Sequence, residues 1–192
     1  MVKNITVLEP FLTKPFEELH LAELSRELNE PHPTIRQHLN NLEKEGILKK
    51  KIKGRLTLYS LNFNNPLLLD YITLSEKNKL ITMSENLILK EMISFFNENF
   101  SETTRIIFGS FAERLNKPKD IDLIIVGKID NGKIKTLSKK INKEIHLINV
   151  KSLNDITKTL KEEVIKKHIV LNNTEEAVRW LQYTGAKKME SD

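Results

Sequence analysis

The sequence predicts an α+β protein of two small domains in tandem, and three observations predict it. Its 192 residues fit one ordinary domain or two small ones. In the first sixty, three helical apolar patterns lead into two short alternating runs around Gly54-Arg55, a helical unit closed by a hairpin. Beyond residue 100, apolar strand-like runs alternate with helical stretches, the pattern of a small mixed α/β domain.

In chain order, Ile5, Leu8, Phe11 and Leu12 recur at helical spacing until Pro15 breaks the pattern. A second helix fits Leu19–Leu28, with Leu21, Leu24 and Leu28 on one face, and Asn29-Glu30-Pro31 ends it. A third fits His32–Glu45, buries Ile35, Leu39 and Leu42, and stops at Gly46. Strands fit Ile47–Lys53 and Leu56–Leu61. In the first, Leu48 and Ile52 form the buried set and Lys49, Lys51 and Lys53 alternate with them. Helices at Leu67–Ile72 and Leu80–Phe96 read as a connector whose Leu80, Leu87, Leu89, Ile93 and Phe96 pack between the domains. Then come a strand at Thr104–Phe108, a short helix after Ser110, a strand at Ile121–Val126, a helix at Ile134–Ile141 and a strand at Glu144–Val150. A helix at Ser152–Lys167, a short strand at His168–Leu171 and a last helix at Thr174–Gln182 follow, with a frayed tail after Gly185. The expected domains are 1–62, a helical connector 63–100, a second domain 101–172, and a C-terminal helix and tail 173–192.

Composition narrows the chemistry. Without cysteine there are no disulfides and no thiolate metal sites, so a metal would need carboxylates or the five histidines. His32 and His38 read as turn and surface residues. No apolar run approaches the roughly 20 residues that span a bilayer, and Met1–Asn4 lacks a signal-peptide pattern. The expectation is a cytoplasmic protein with no membrane partner. The net charge of +5 is modest but uneven. Residues 1–30 set Lys3, Lys14 and Arg26 against six glutamates. Residues 31–62 set Arg36, Lys44, Lys49, Lys50, Lys51, Lys53 and Arg55 against only Glu43 and Glu45. Such a basic cluster suits a polyanion.

Three helices and a basic hairpin are the pattern of a winged helix-turn-helix. The string from Leu21-Ala22-Glu23-Leu24 to Gly46-Ile47-Leu48 resembles small prokaryotic regulators of that class. The resemblance implies that the third helix enters the DNA major groove with Thr34, Arg36, Gln37, Asn40, Asn41 and Lys44 on its exposed face. Arginine matches guanine edges, and glutamine or asparagine matches adenine edges, through paired hydrogen bonds. Lys49, Lys51, Lys53 and Arg55 on the wing would hold phosphates, supplying affinity more than sequence choice. Winged helices of this kind commonly pair on two-fold operators, which admits a homodimer, but the sequence does not set the oligomeric state. The same fold also serves as a protein-interaction unit, which stays open here.

In the second domain, Gly109-Ser110 follows an apolar strand and opens a helix, and Lys119-Asp120-Ile121-Asp122 opens the next strand. Asp120 and Asp122, two apart on a strand, share a face, while Ile121 and Leu123 point the other way into a core. Paired carboxylates select a hard cation such as Mg²⁺, and a glycine turn at a helix start suits a phosphate. This constellation resembles the nucleotidyltransferase superfamily that includes DNA polymerase beta, in particular its minimal nucleotidyltransferase branch, over roughly residues 101–172. The resemblance implies that Asp120, Asp122 and Glu144 are the catalytic, Mg²⁺-binding acids and that Gly109, Ser110 and Lys119 hold the nucleotide. It implies an NTP substrate, with ATP the expected one, and transfer of NMP to a protein, RNA or small molecule. A toxin-like protein acceptor would make the chain an antitoxin-type regulator. Two positions depart from the pattern: Lys119 stands where serine is frequent, and the third acid is a glutamate. His146 lies two residues past Glu144 on the same face and reads equally as site support or as a solvent-facing residue. The alternative is a DNA-binding transcriptional regulator whose second domain is inactive or senses nucleotide. A scaffold that docks a protein through residues 80–96 is a third reading.

Overall fold

The computed structural model describes residues 5–183, and the chain divides into two compact units, one of the residues up to Asn78 with Gln182 and Tyr183, the other Lys79–Leu181. The frayed tail expected after Gly185 lies outside the described residues.

The first unit holds α1 (Glu9–Thr13), β1 (Leu19–His20), α2 (Leu21–Glu27), α3 (His32–Lys44), β2 (Leu48–Lys53) and β3 (Leu56–Leu61). Its sheet is antiparallel in the order β1-β3-β2. The helix expected over Leu19–Leu28 is shorter at its start. Leu19 pairs with Tyr59 and His20 with Leu58 as an extended edge. The His20 ring then caps α2 by accepting from the Ala22 N–H at 3.2 Å. An N-cap residue is extended by nature, and here that extension doubles as a third strand. Asn29, in the left-handed region (φ 50°), stops the following turn. Pro31 takes the N-cap position of α3 without a side-chain hydrogen bond, and Pro33 sits in the first turn, where a missing N–H costs nothing. Gly46 (φ 72°) ends α3: its N–H donates to the Glu43 carbonyl and that of Ile47 to Leu42, a full Schellman motif. Ile35, Leu39 and Leu42 are buried with Phe11, Leu12, Leu24, Leu48, Tyr59 and Leu61 in the unit's core.

The wing departs from the expected alternation. Only Leu48 of β2 is buried, and Ile52 is 73% exposed. The hairpin runs past the edge of the core, so its outer half has nothing to pack on and both faces meet solvent.

The helix α4 (Leu68–Met83) is longer than expected, and α5 (Leu87–Asn99) follows it. The Asn86 side chain caps α5, accepting from the N–H groups of Ile88 and Leu89 at 3.1 Å each. Residues of this stretch are expected to pack between the domains. Instead Leu89 and Phe96 are buried in the second unit's own core, and Leu87 is exposed.

That second unit is a four-stranded sheet in the order β6-β5-β4-β7. Its strands are β4 (Thr104–Phe108), β5 (Asp120–Val126), β6 (Glu144–Val150) and β7 (His168–Asn172). The pair β5 and β6 is parallel, and the other two pairings are antiparallel. Its helices are α6 (Gly109–Glu113), α7 (Asn131–Ile141), α8 (Lys158–Lys166) and α9 (Thr174–Val178), which passes into a π turn at Arg179–Tyr183. One sheet face packs Ile107, Ile121, Leu123 and Ile125 against α5 and α7. The other packs Ile106, Phe108, Ile124 and Val170 against Val164, Ala177 and Trp180. The strands are apolar on both faces because both are covered. The single helix expected over Ser152–Lys167 is broken. Ser152 and Asp155 form a capping box around a short turn at Leu153–Asp155, and Thr157 caps α8 afresh. Two capping residues five positions apart each start their own segment.

Candidate functional site

Two surfaces carry the nominated residues. On the first unit, Arg36, Gln37 and Lys44 stand on the exposed face of α3, while Thr34, Asn40 and Asn41 are half-buried at its margins. Thr34 and His38 line a shallow groove with Val7 and Leu28. Lys49, Lys51, Lys53 and Arg55 are exposed on the wing. Among the described residues no ion pair engages Arg36, Lys44, Lys49, Lys53 or Arg55. Lys51 pairs with Glu18 at 2.8 Å. Lys50 was not among the nominated residues, yet its Nζ donates to Asn40 Oδ1 at 3.2 Å and ties the wing to α3. The Tyr59 hydroxyl donates to the same oxygen at 3.4 Å, and burial holds that phenol above its ordinary pKa. Asn40 thus spends its acceptor inside the protein. The triple-lysine run was the available signal for Lys50, but its alternation placed that residue on the core side.

On the second unit, the parallel register sets Asp120 beside Glu144 and Asp122 beside His146. The His146 ring lies among all three acids. Its Nδ1 is 3.4 Å from Asp122 Oδ1 and 3.7 Å from Asp120 Oδ2, and its Nε2 is 3.4 Å from Glu144 Oε1. Partial desolvation opposes the imidazolium. The hydrogen bond that the ring donates to Asp122 and the charges of Glu144, Asp122 and Asp120 outweigh it and raise the pKa above the ordinary histidine value. Gly109 is left-handed (φ 72°), and a Cβ there would come within 2.6 Å of Asp122 Oδ2. Only glycine lets the β4–α6 turn approach the acid so closely. Its N–H donates to the Lys167 carbonyl at 3.2 Å, so that amide is already used. Ser110 and Lys119 are exposed nearby in sequence, and the Lys119 carbonyl accepts from the Glu144 N–H.

The fit to Mg²⁺ is partial. Asp120 and Asp122 supply hard oxygen donors on one face. Glu144 is 76% exposed, and a nitrogen donor, His146, stands between the acids. Among the described residues no group of three or more histidine, aspartate or glutamate side chains is arranged to hold a metal ion. No described helix is long and apolar enough to cross a membrane.

Residues 11–50 match the family described as bacterial regulatory protein, arsR family. No curated protein matches the chain. Among solved structures, one similar chain is TrmBL2, described as an archaeal chromatin protein whose structure shows a novel mode of DNA binding. It is 15% identical, with a TM-score of 0.25, over 83% of this chain and 73% of that one. None of these findings names a nucleotidyltransferase. The segment that the family model matches, residues 11–50, holds α2 and α3 joined by a short turn and reaches into β2, which pairs with β3 as a hairpin.

Proposed function

We propose that this protein is a DNA-binding transcriptional regulator whose first unit lays α3 in the major groove and sets its wing on the phosphate backbone. The observation that carries the reading is the surface shared by α3 and β2. Arg36, Gln37 and Lys44 are exposed on α3, Lys49, Lys53 and Arg55 are exposed on the wing, and the Lys50–Asn40 hydrogen bond ties the two elements together. Arg36 and Gln37 have paired donors or a donor and an acceptor for base edges, so they carry sequence choice. The wing cations carry counterion release. Fluorescence anisotropy on a labelled duplex tests this. Lys49→Ala with Lys53→Ala should weaken all sequences alike and flatten the salt dependence by about one unit of slope per lost phosphate contact. Arg36→Ala should cost about 1–3 kcal/mol on the preferred site and relax its selectivity.

A second reading is favoured by one observation, the close seat of Gly109 against Asp122 beside Asp120. It keeps the second unit as a nucleotide-handling domain, either sensing NTP or transferring NMP to a protein, RNA or small-molecule acceptor. Asp120 and Asp122 would hold Mg²⁺, which would offset the charge on the triphosphate. Ser110 and Lys119 would orient the nucleotide. Label transfer from NTP that disappears in Asp120→Ala and Asp122→Ala supports transfer. Unchanged DNA binding with no label transfer leaves the regulator reading alone.

A further inference from the structure

The second unit holds a basic segment of its own. Residues 128–143 carry Lys128, Lys133, Lys135, Lys139, Lys140 and Lys143 against Asp130 alone. That excess of five charges equals the excess in residues 31–62, and the net charge of the chain is +5, so everything outside the two segments is net acidic. The fold gathers these lysines on α7. The helix buries Ile134 and Leu137, and from position 133 onward its exposed residues are Lys133, Lys135, Thr136, Lys139 and Lys140. At 100° per residue these five cover an arc of about 160°, the side turned from the core. Lys140 pairs with Glu91, the Lys133 Nζ lies 5.8 Å from the centre of the Phe100 ring, and the Lys143 Nζ donates to the Pro118 carbonyl. Among the described residues no ion pair engages Lys128, Lys135 or Lys139. The arrangement works against the helix. Lysines four apart, such as Lys135 and Lys139, repel each other. Cations near the helix start oppose its dipole, no acid stands in the first turn, and Asp130 Oδ1 is taken up by the Gly132 N–H at 2.8 Å. A polyanion laid along this side relieves both strains.

We infer that the lysine side of α7 is a second nucleic-acid contact, which holds the phosphate backbone of duplex DNA without regard to sequence. Lysine is a flexible point charge that suits phosphate oxygens. Residues 128–143 contain no arginine to fork onto a guanine edge, so the contact carries no base choice of that kind. They also contain no aromatic ring on which unstacked bases could lie, which favours a duplex over a single strand. From Lys133 to Lys140 the helix rises about 10 Å. Over that length a duplex presents several phosphates, one per roughly 1.7 Å of its axis. The choice of DNA as the polyanion rests on the proposed reading of the first unit; the lysine side of α7 does not.

Lysine footprinting on the full chain tests it: acetylation with an N-hydroxysuccinimide ester, with and without a duplex of arbitrary sequence, read residue by residue by mass spectrometry. The duplex should protect Lys135 and Lys139 on α7 as well as Lys49 and Lys53 on the wing. It should leave Lys158 and Lys166, exposed on α8, as reactive as before. Anisotropy then supplies the second readout. Lys135→Gln with Lys139→Gln should weaken every duplex about tenfold at about 0.1 M salt and lower the salt slope by about two. Lys158→Gln with Lys166→Gln removes the same charge and should leave affinity and slope within about twofold of the parent. Circular dichroism checks that each variant is folded. Unprotected α7 lysines, a parental slope in the α7 variant, or an equal loss from the α8 variant overturns the inference. A duplex RNA that displaces the DNA from Lys135 and Lys139 at lower concentration overturns the choice of DNA. Protection on α7 without the wing contradicts the reading of the first unit and upholds this one, and protection on the wing alone does the reverse.

Discussion

Arg105 is the least expected side chain in the second unit. It is fully buried on β4, and its Nε and Nη1 have no partner. Its Nη2 donates to Asn97 Oδ1 at 3.3 Å, and the guanidinium lies 5.4 Å from the centre of the Phe96 ring. Desolvation pushes its pKa down to about 10. A buried cation so poorly compensated costs stability. We expect Arg105→Met, which keeps the volume and removes the charge, to stabilise the fold by about 1 kcal/mol or more in urea denaturation. A loss of similar size would mean that the cation–ring and Asn97 contacts outweigh the burial. His146 is the opposite case, an exposed ring whose acid neighbours favour its charged form. With a folded pKa raised above 6.5, its contribution to stability is complete below that value and fades as pH rises through the folded pKa. In a histidine NMR titration, Asp122→Asn should lower the His146 midpoint; an unmoved midpoint would remove Asp122 as the cause. Neither residue's setting was visible in the sequence. Burial of Arg105 depends on α5 covering β4, and the seat of His146 depends on the β5–β6 register.

At the scale of elements, the segments with two agreeing local signals were legible. The strands Thr104–Phe108 and Glu144–Val150 occupy the predicted residues, as does the hairpin strand Leu56–Leu61. Apolar character and flanking turns agreed at each. The shared face of Asp120 and Asp122 also followed from period-two geometry alone. Where signals competed, the reading failed. Leu19 fits a helical apolar stripe, but His20 is a better cap than a first-turn residue, and β3 needed an edge partner. Ser152 and Thr157 both cap, so one predicted helix became two segments. Ile52 alternates correctly, but its exposure is set by how far the wing overruns the core. The β4–α6 turn offers a direct test. Gly109→Ala combines a left-handed backbone with a methyl 2.6 Å from Asp122, and should cost about 1–2 kcal/mol of stability in thermal melts. An unchanged melting temperature would show that the turn relaxes freely and that the close approach to Asp122 is incidental.

For the whole molecule, residues 31–62, which hold α3 and the wing, carry seven basic side chains against two acidic ones in a chain whose net charge is +5. The measurement that tests the account most directly is duplex DNA affinity as a function of salt, for the parent chain and for Lys49→Ala with Lys53→Ala. The account predicts that log affinity falls linearly with log salt, and that the double variant loses affinity for every duplex while its slope shrinks by about two phosphate contacts. Binding that ignores salt, or a variant that binds with the parent's slope, would contradict it.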